Sequence, residues 1–101
     1  MNITPFPCPC CGRLVFSEAA GSEEICPVCF WQDDLFGLLD PFNVLGPNKV
    51  SLESGQTNYA ASGISDTRLD RFKARLASAS RFAPDIEWRL ISAQDRFDPE
   101  E

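Results

Sequence analysis

The sequence contains no histidine among its 101 residues, so the side chain that most often acts as a general base is missing. It also has no glycine-rich phosphate loop and no pairing of a nucleophile with a base. We therefore expect a protein without catalytic turnover, and we assign no catalytic residue.

Long apolar segments are also missing. There is no run of about 18 apolar residues that could span a membrane, and the chain does not open with the basic and apolar residues of a secretory signal. We expect a cytoplasmic protein that does not enter a membrane.

Positive charge is scarce in the first half of the sequence. Nine lysines and arginines stand against fifteen acids, which gives a formal charge of −6, and Arg13 is the only basic residue before Lys49. Proteins that bind nucleic-acid phosphates normally cluster basic residues near the binding element. The balance makes nucleic acid an unlikely ligand and favours a basic protein as the partner.

Cysteine is what the first half does contain, with all five cysteines between residues 8 and 29. An odd number leaves one thiol over in any disulfide scheme, and disulfides are rare in a reducing cytoplasm. The composition therefore favours metal binding or thiol chemistry.

Four of these cysteines form two matched frames, CPCC at residues 8–11 and CPVC at residues 26–29. Two intervening residues let a tight turn direct both sulfurs at one ion, while backbone amides of the turn donate to the sulfurs. Fourteen residues separate the frames, enough for a hairpin that returns the second turn to the first. The pattern predicts one metal site formed by Cys8, Cys11, Cys26 and Cys29.

Cys10 is then the fifth, spare cysteine. Adjacent cysteines point their side chains in different directions, so Cys10 and Cys11 do not easily share a tetrahedral site. We favour a buried thiol packed under the turn. The alternative is a reactive or regulatory thiol made more acidic by the nearby cation.

Four sulfur ligands suit either zinc or a single iron ion. A closed ligand set without an open position is typical of structural zinc, because catalytic zinc keeps a position for water. We predict one structural Zn²⁺, with a mono-iron or thiol redox protein as the alternative. Four thiolates around Zn²⁺ would deepen the negative charge of the protein by about two units.

The expected fold class is α+β, with a small zinc-ribbon-like β-hairpin carrying two CPxC knuckles. Residues 14–16 and 24–25 are the predicted hairpin strands. The aromatic stretch at residues 30–42 is expected to cover the metal site and dock the second half, with an exposed binding patch as the alternative.

The second half is expected to be helical. Ser51 and Gly63 bound a helix predicted over residues 52–62, and Asp66 is the expected N-cap of the next helix. An apolar stripe at spacings of three and four predicts the buried face of that second helix. The stripe consists of Leu69, Phe72, Leu76 and Ala79.

Residues 85–91 fit both a strand and a helix. The strand is favoured, because a helix would leave Trp88 and Ile91 off the buried face.

Prolines, a glycine and asparagines interrupt the sequence at residues 40–50. They separate a zinc-ribbon-like segment, residues 1–45, from a mainly helical segment, residues 46–101. Neither segment is long enough to bury an adequate core alone, which predicts a single domain over residues 1–101.

Three stretches together, PCPCCG, ICPVCFWQDD and NKVSLESGQTNYAASG, resemble the cysteine-rich CPCC proteins of bacteria. The resemblance covers residues 5–63 or somewhat more and implies zinc binding by the four cysteines of the two frames. Gln32 stands where the family usually has glutamate, and residues 54–56 replace a Glu-Ala-Arg stretch. Members are similar to proteins encoded beside bacterial toxin systems, which implies an immunity function.

These observations predict a non-enzymatic protein-binding module on a zinc-stapled scaffold. With the resemblance, the expected partner is another protein, in particular a basic toxin domain. The predicted partner contacts are Trp31, Asp33, Asp34 and Phe36, although a capping role for the two aspartates is at least as well supported. A nucleic-acid-associated zinc ribbon is the alternative.

Overall fold

The computed structural model describes residues 6–95. The chain begins with strand β1, Phe6–Pro7, which pairs antiparallel with strand β2, Leu14–Phe16. The CPCC frame lies in the turn between the two strands. The structure is a small zinc-ribbon-like α+β fold, as predicted.

The strand pairing differs from the prediction, which joined residues 14–16 to residues 24–25. Ile25 instead bridges Gln32, on the other side of the CPVC frame. Each frame is therefore enclosed by its own short antiparallel pair, and closing such a short loop costs less entropy than pairing across the longer connection. The segment after β2 contacts residue 24 through a side chain instead of through strand pairing. The Glu24 carboxylate accepts a hydrogen bond from the Ser17 amide at 3.1 Å.

Helix α1, Leu35–Leu39, follows the second frame. Asp34 is its N-cap, and the carboxylate accepts from the amides of Phe36 and Gly37 at 3.2 and 3.0 Å. These bonds satisfy amides that a helix start leaves without partners.

Helix α2, Leu52–Ser62, has the predicted bounds. The Ser51 hydroxyl accepts from the Ser54 amide at 3.1 Å, and Gly63 ends the helix with a left-handed φ of 78°. Both signals come from local sequence, which explains why they could be identified without the tertiary structure.

The next predicted helix is present as a 3₁₀ helix, Thr67–Arg75, and Asp66 is its N-cap as expected. Leu69 departs from helical geometry within it, with φ −101° and ψ 17°. The predicted apolar stripe is only partly buried. Little tertiary packing supports a regular α-helix here, and packing rather than propensity stabilises most helices.

Two short 3₁₀ turns follow, Ala79–Arg81 and Ala93–Asp95. The favoured strand at residues 85–91 is wrong, and the segment is not helical either. Asp85 starts a turn by accepting the Glu87 amide on its side chain at 3.1 Å, and Ile86 is 95% exposed. The alternation of apolar and polar residues therefore reflects a turn, with Trp88 directed back onto the first frame.

The buried core surrounds the cysteines. It contains all five cysteine side chains together with five apolar residues from β2, the CPVC frame, the aromatic stretch and α2: Val15, Phe16, Val28, Trp31 and Leu52. Within residues 6–95, no helix has the length and apolarity needed to cross a membrane.

Backbone hydrogen bonds attach later segments to the two frames. The amide of Asp85 donates to Gly12 O, and that of Ala77 donates to Pro27 O, both at 2.8 Å. The amide of Ser65 donates to Cys29 O at the same distance. The division into residues 1–45 and 46–101 stays a prediction.

Candidate metal centre

The two cysteine frames form the same backbone turn. In the first, Cys8 N donates to Arg13 O at 2.9 Å and Gly12 N donates to Cys8 O at 2.8 Å. In the second, Cys26 N donates to Trp31 O at 2.7 Å and Phe30 N donates to Cys26 O at 3.0 Å. We call these turns the first and second knuckles.

The exit residue of each knuckle has a positive φ, 78° at Gly12 and 73° at Phe30. Glycine adopts this conformation without a steric penalty, whereas phenylalanine does not. The Phe30 ring stacks on Phe72, with centroids 5.4 Å apart and planes 4° from parallel. This contact attaches the second knuckle to the 3₁₀ helix.

In the second knuckle, backbone amides donate to the sulfur of the first cysteine, as the turn geometry predicts. The amides of Val28 and Cys29 donate to Cys26 Sγ at 3.3 and 3.4 Å. Such hydrogen bonds stabilise negative charge on a metal-bound thiolate.

The structure brings the four predicted ligands together. Their ligand atoms all lie within 4.8 Å of one another, and all four residues are buried: Cys8, Cys11, Cys26 and Cys29. The Sγ atoms of Cys8 and Cys29 are 3.6 Å apart, and those of Cys11 and Cys26 are 3.7 Å apart. A tetrahedral zinc with Zn–S bonds of about 2.3 Å would place sulfurs roughly 3.8 Å apart. The cluster could therefore hold a metal ion.

Burial and hydrogen bonding shift the pKa of three of the four cluster thiols in different directions. Burial raises the pKa of the Cys8 and Cys29 thiols well above that of a free cysteine. Hydrogen bonds from the other three thiols, that of Cys26 first, lower the pKa of Cys11. A bound metal replaces the remaining thiol protons, so its apparent affinity falls as the pH falls.

Cys10 lies outside the four-sulfur cluster and has no exposed surface. A Cβ atom built on Gly55 of α2 would lie 3.3 Å from Cys10 Sγ. The thiol is therefore packed between the first knuckle and α2, in agreement with the favoured interpretation.

Trp88 covers the first knuckle. Its Nε1 donates to Pro9 O at 2.7 Å, and a Cβ atom on Gly12 would lie 2.6 Å from Trp88 Cδ2. Gln56 of α2 donates to the same carbonyl at 2.9 Å and accepts from the Ile91 amide at 2.7 Å. Gly12 is therefore required for two reasons: its backbone has a positive φ, and the Trp88 indole occupies the space that a side chain would need.

A basic residue, Arg13, lies next to the first knuckle, since its carbonyl accepts from the Cys8 amide. Arg13 donates from Nη1 to Phe82 O at 3.1 Å. Tyr59 of α2 is also near, since its pKa is raised by burial and then by negative charge on Cys11 and Cys29. Arg13 partly offsets that effect.

The four predicted partner contacts have different environments. Trp31 is buried at 1% exposure, and the Asp33 carboxylate accepts from the hydroxyl of Ser22 at 2.6 Å. Asp34 is buried as the cap of α1, whereas Phe36 is 65% exposed. Partner binding by these residues stays a prediction, and in this conformation only Phe36 presents a large surface.

Sequence reasoning missed Trp88 and Gln56 as the cover of the first knuckle, because no local pattern relates them to Pro9. It also missed the strained exit at Phe30. A signal for Phe30 was present, because this residue occupies the position in the second frame that Gly12 occupies in the first.

Fold and cluster together define a small zinc-ribbon-like protein with a four-cysteine site suited to metal binding. The sequence model of the Cysteine-rich CPCC family matches residues 6–79. The chain therefore belongs to the cysteine-rich CPCC family. Searches of curated proteins and of solved structures found no match.

Proposed function

We propose that this chain binds one structural Zn²⁺ through Cys8, Cys11, Cys26 and Cys29 and acts as a non-enzymatic binding module for another protein. The closed four-sulfur set supports the metal part of the proposal, because structural zinc sites are typically complete without an open position. It also supports the absence of turnover, since neither water nor substrate has a coordination position.

An exposed apolar surface supports the proposal that the chain binds another protein. Five large apolar residues of α1 and the following loop are between 41% and 65% exposed. We call them the apolar patch: Leu35, Phe36, Leu39, Val44 and Leu45. Exposed apolar groups concentrated in one short segment are typical of interaction sites.

The charge around the apolar patch indicates the kind of partner. Residues 14–48 contain six acidic residues and no lysine or arginine, and the acids other than the buried Asp33 and Asp34 are at least partly exposed. Zinc bound to four thiolates would add further negative charge. A partner with an apolar centre and a basic rim fits this surface, because complementary charge speeds association and apolar anchors supply affinity.

A basic toxin domain has this chemistry. The resemblance of the family to proteins encoded beside toxin systems supports an immunity role, in which binding neutralises the toxin. On this proposal the zinc holds the knuckles that precede α1, and α1 supplies the contact.

Site-specific crosslinking in the native host tests the proposal. A photo-crosslinking phenylalanine analogue at Phe36 should capture a protein with a basic surface, whereas the same analogue at Leu90 should not. Leu90 is a matched control because it is 60% exposed and lies outside the apolar patch. The purified partner should bind more slowly at high salt, and Phe36→Ser should weaken binding by at least about tenfold.

Equal capture from both positions would contradict a specific partner at the apolar patch. Capture that depends on nucleic acid would instead support the nucleic-acid alternative. For the metal, a colourless protein with one zinc per chain is expected, and visible absorption from a four-thiolate ferric site would contradict zinc.

A further inference from the structure

A second surface has the opposite charge. A groove of about 300 Å³ lies between the second knuckle and the 3₁₀ helix Thr67–Arg75. Its cationic side chains are Lys49, Arg68 and Arg71. It lies apart from the four-sulfur cluster, since none of the ligand cysteines lines it.

Two of the three cations have no carboxylate partner among residues 6–95. Arg68 forms an ion pair with Asp66 at 2.9 Å and donates to Lys49 O at 3.1 Å, so its charge is already compensated. Across residues 6–95, no ion pair involves Lys49 or Arg71. The Arg71 guanidinium lies 4.6 Å from the Phe72 ring centroid and donates to Arg68 O at 3.2 Å, which holds it in place without neutralising it.

A serine also lines the groove. Ser65 is only 2% exposed, and its backbone is fixed by bonds to Cys29 O and from the Asn58 amide. The Ser65 hydroxyl makes no hydrogen bond to any other of residues 6–95. Because this hydroxyl keeps some surface open to solvent, an oxygen that enters the groove would replace water as its partner, with a modest net gain.

Apolar walls restrict the kind of ligand. Ile25, Phe30 and Leu69 line the groove together with the cations. A free inorganic anion would leave these walls without contact, whereas a peptide offers apolar side chains beside its carboxylates. The acidic stretch at residues 14–48 would repel a long polyanion such as nucleic acid more strongly than a short acidic segment.

We propose that this groove binds a short acidic segment of another protein, with a carboxylate between Lys49, Arg71 and Ser65 and an apolar side chain against Phe30 and Leu69. The charge complementarity and the unpartnered hydroxyl carry this assignment. It does not depend on the apolar patch, because none of these residues belongs to that patch.

Fluorescence anisotropy with a labelled peptide, acetyl-Glu-Leu-Glu-Phe-Glu, tests the site on the zinc-loaded full chain. Binding should be saturable, and a peptide with glutamine in place of every glutamate should not bind. Lys49→Gln and Arg71→Gln should each weaken binding about fivefold to tenfold, and Ser65→Ala about threefold. Arg81→Gln is the matched control, because it removes the same charge outside the groove, and it should leave the affinity unchanged.

Thermal unfolding of each variant separates loss of binding from loss of folding. Lys49→Gln is the decisive variant, since Arg68 contacts only the backbone carbonyl of this residue. An equal loss in Arg81→Gln, or no saturable binding below about 1 mM, would overturn the proposal. Stronger competition by inorganic phosphate or by a ten-nucleotide thymidine oligomer than by unlabelled peptide would also overturn it.

Discussion

Gly12 and Phe30 occupy the same position in the two knuckles, four residues after the first cysteine of each, with φ values of 78° and 73°. The backbone requirement is the same at both positions, but the surroundings differ. Gly12 faces the Trp88 indole, which leaves no room for a Cβ atom, whereas Phe30 stacks on Phe72. In the second knuckle, the residue that makes the stabilising aromatic contact therefore also has a strained backbone.

The first prediction separates these two effects at Phe30. Phe30→Ala keeps the strain and loses the stack, so it should lower the free energy of unfolding by about 1–3 kcal/mol. Phe30→Gly loses the same stack but releases the strain, and it should be about 1 kcal/mol more stable than Phe30→Ala. Denaturant unfolding of the zinc-loaded variants measures both values. Equal stability of the two variants would show that the strain released at Phe30 is no larger than the cost of the entropy that glycine adds to the unfolded chain.

The second prediction concerns Gly55 in α2, where helix propensity and packing act in opposite directions. From helix propensity alone, Gly55→Ala should raise the free energy of unfolding by about 1 kcal/mol. However, the new Cβ atom would lie 3.2 Å from Trp31 Cζ3, and Trp31 is fixed in the core with Gly37 near the same ring. We expect a net loss of about 1–2 kcal/mol in thermal or denaturant unfolding.

Thr57→Ala is the control for Gly55→Ala, because Thr57 is exposed on the same helix. It should change the stability by only a few tenths of a kcal/mol. A stabilised Gly55→Ala variant would mean that Trp31 can move away from the helix.

The third prediction distinguishes the ligands from the spare thiol. Cys29→Ser should lose the metal and much of the stability, since structural zinc sites contribute roughly 10 kcal/mol or more of apparent binding free energy. Cys10→Ser should retain one metal ion per chain, because Cys10 lies outside the four-sulfur cluster. Metal analysis after gel filtration gives the stoichiometry. Loss of zinc from Cys10→Ser in a folded protein would require a different ligand set.

The fourth prediction follows from the hydrogen bonds that later segments make to the knuckles. Removing the metal should relax both turns and expose the amides of Ser65, Ala77 and Asp85, whose acceptors are knuckle carbonyls. Hydrogen exchange at these amides should accelerate strongly when a chelator is added. Circular dichroism should also show loss of helix. Full retention of helix after chelation would show that the second half is stable alone.

Sequence alone predicted the features that depend on neighbouring residues. The cysteine frames define turns with the correct spacing, and Ser51, Gly63 and Asp66 act on amides or backbone angles a few positions away. The cluster geometry follows from the same local turns. These features therefore need no knowledge of the tertiary structure.

The predictions that failed concern features that depend on contacts between residues far apart in the sequence. Residues 85–91 alternate like a strand, but no neighbouring strand is available, and Asp85 turns the chain so that Trp88 reaches Pro9. The helix at Thr67–Arg75 carries an apolar stripe, but too little core covers it to maintain regular α geometry. The capping role considered for the two aspartates is found at Asp34, whereas the bond from Ser22 to Asp33 joins residues eleven positions apart and could not be identified from the sequence.

The cover of the first knuckle has a consequence for the order of assembly during synthesis. All four ligands lie within the first 29 residues, whereas Trp88 follows its acceptor Pro9 by 79 positions. If the cluster binds zinc as proposed, a chain still attached to the ribosome could therefore hold the ion before the indole arrives. Until residue 88 emerges, a bound ion would be open to exchange with other metals and with cellular chelators, and the indole would then cover the first knuckle with the metal already in place.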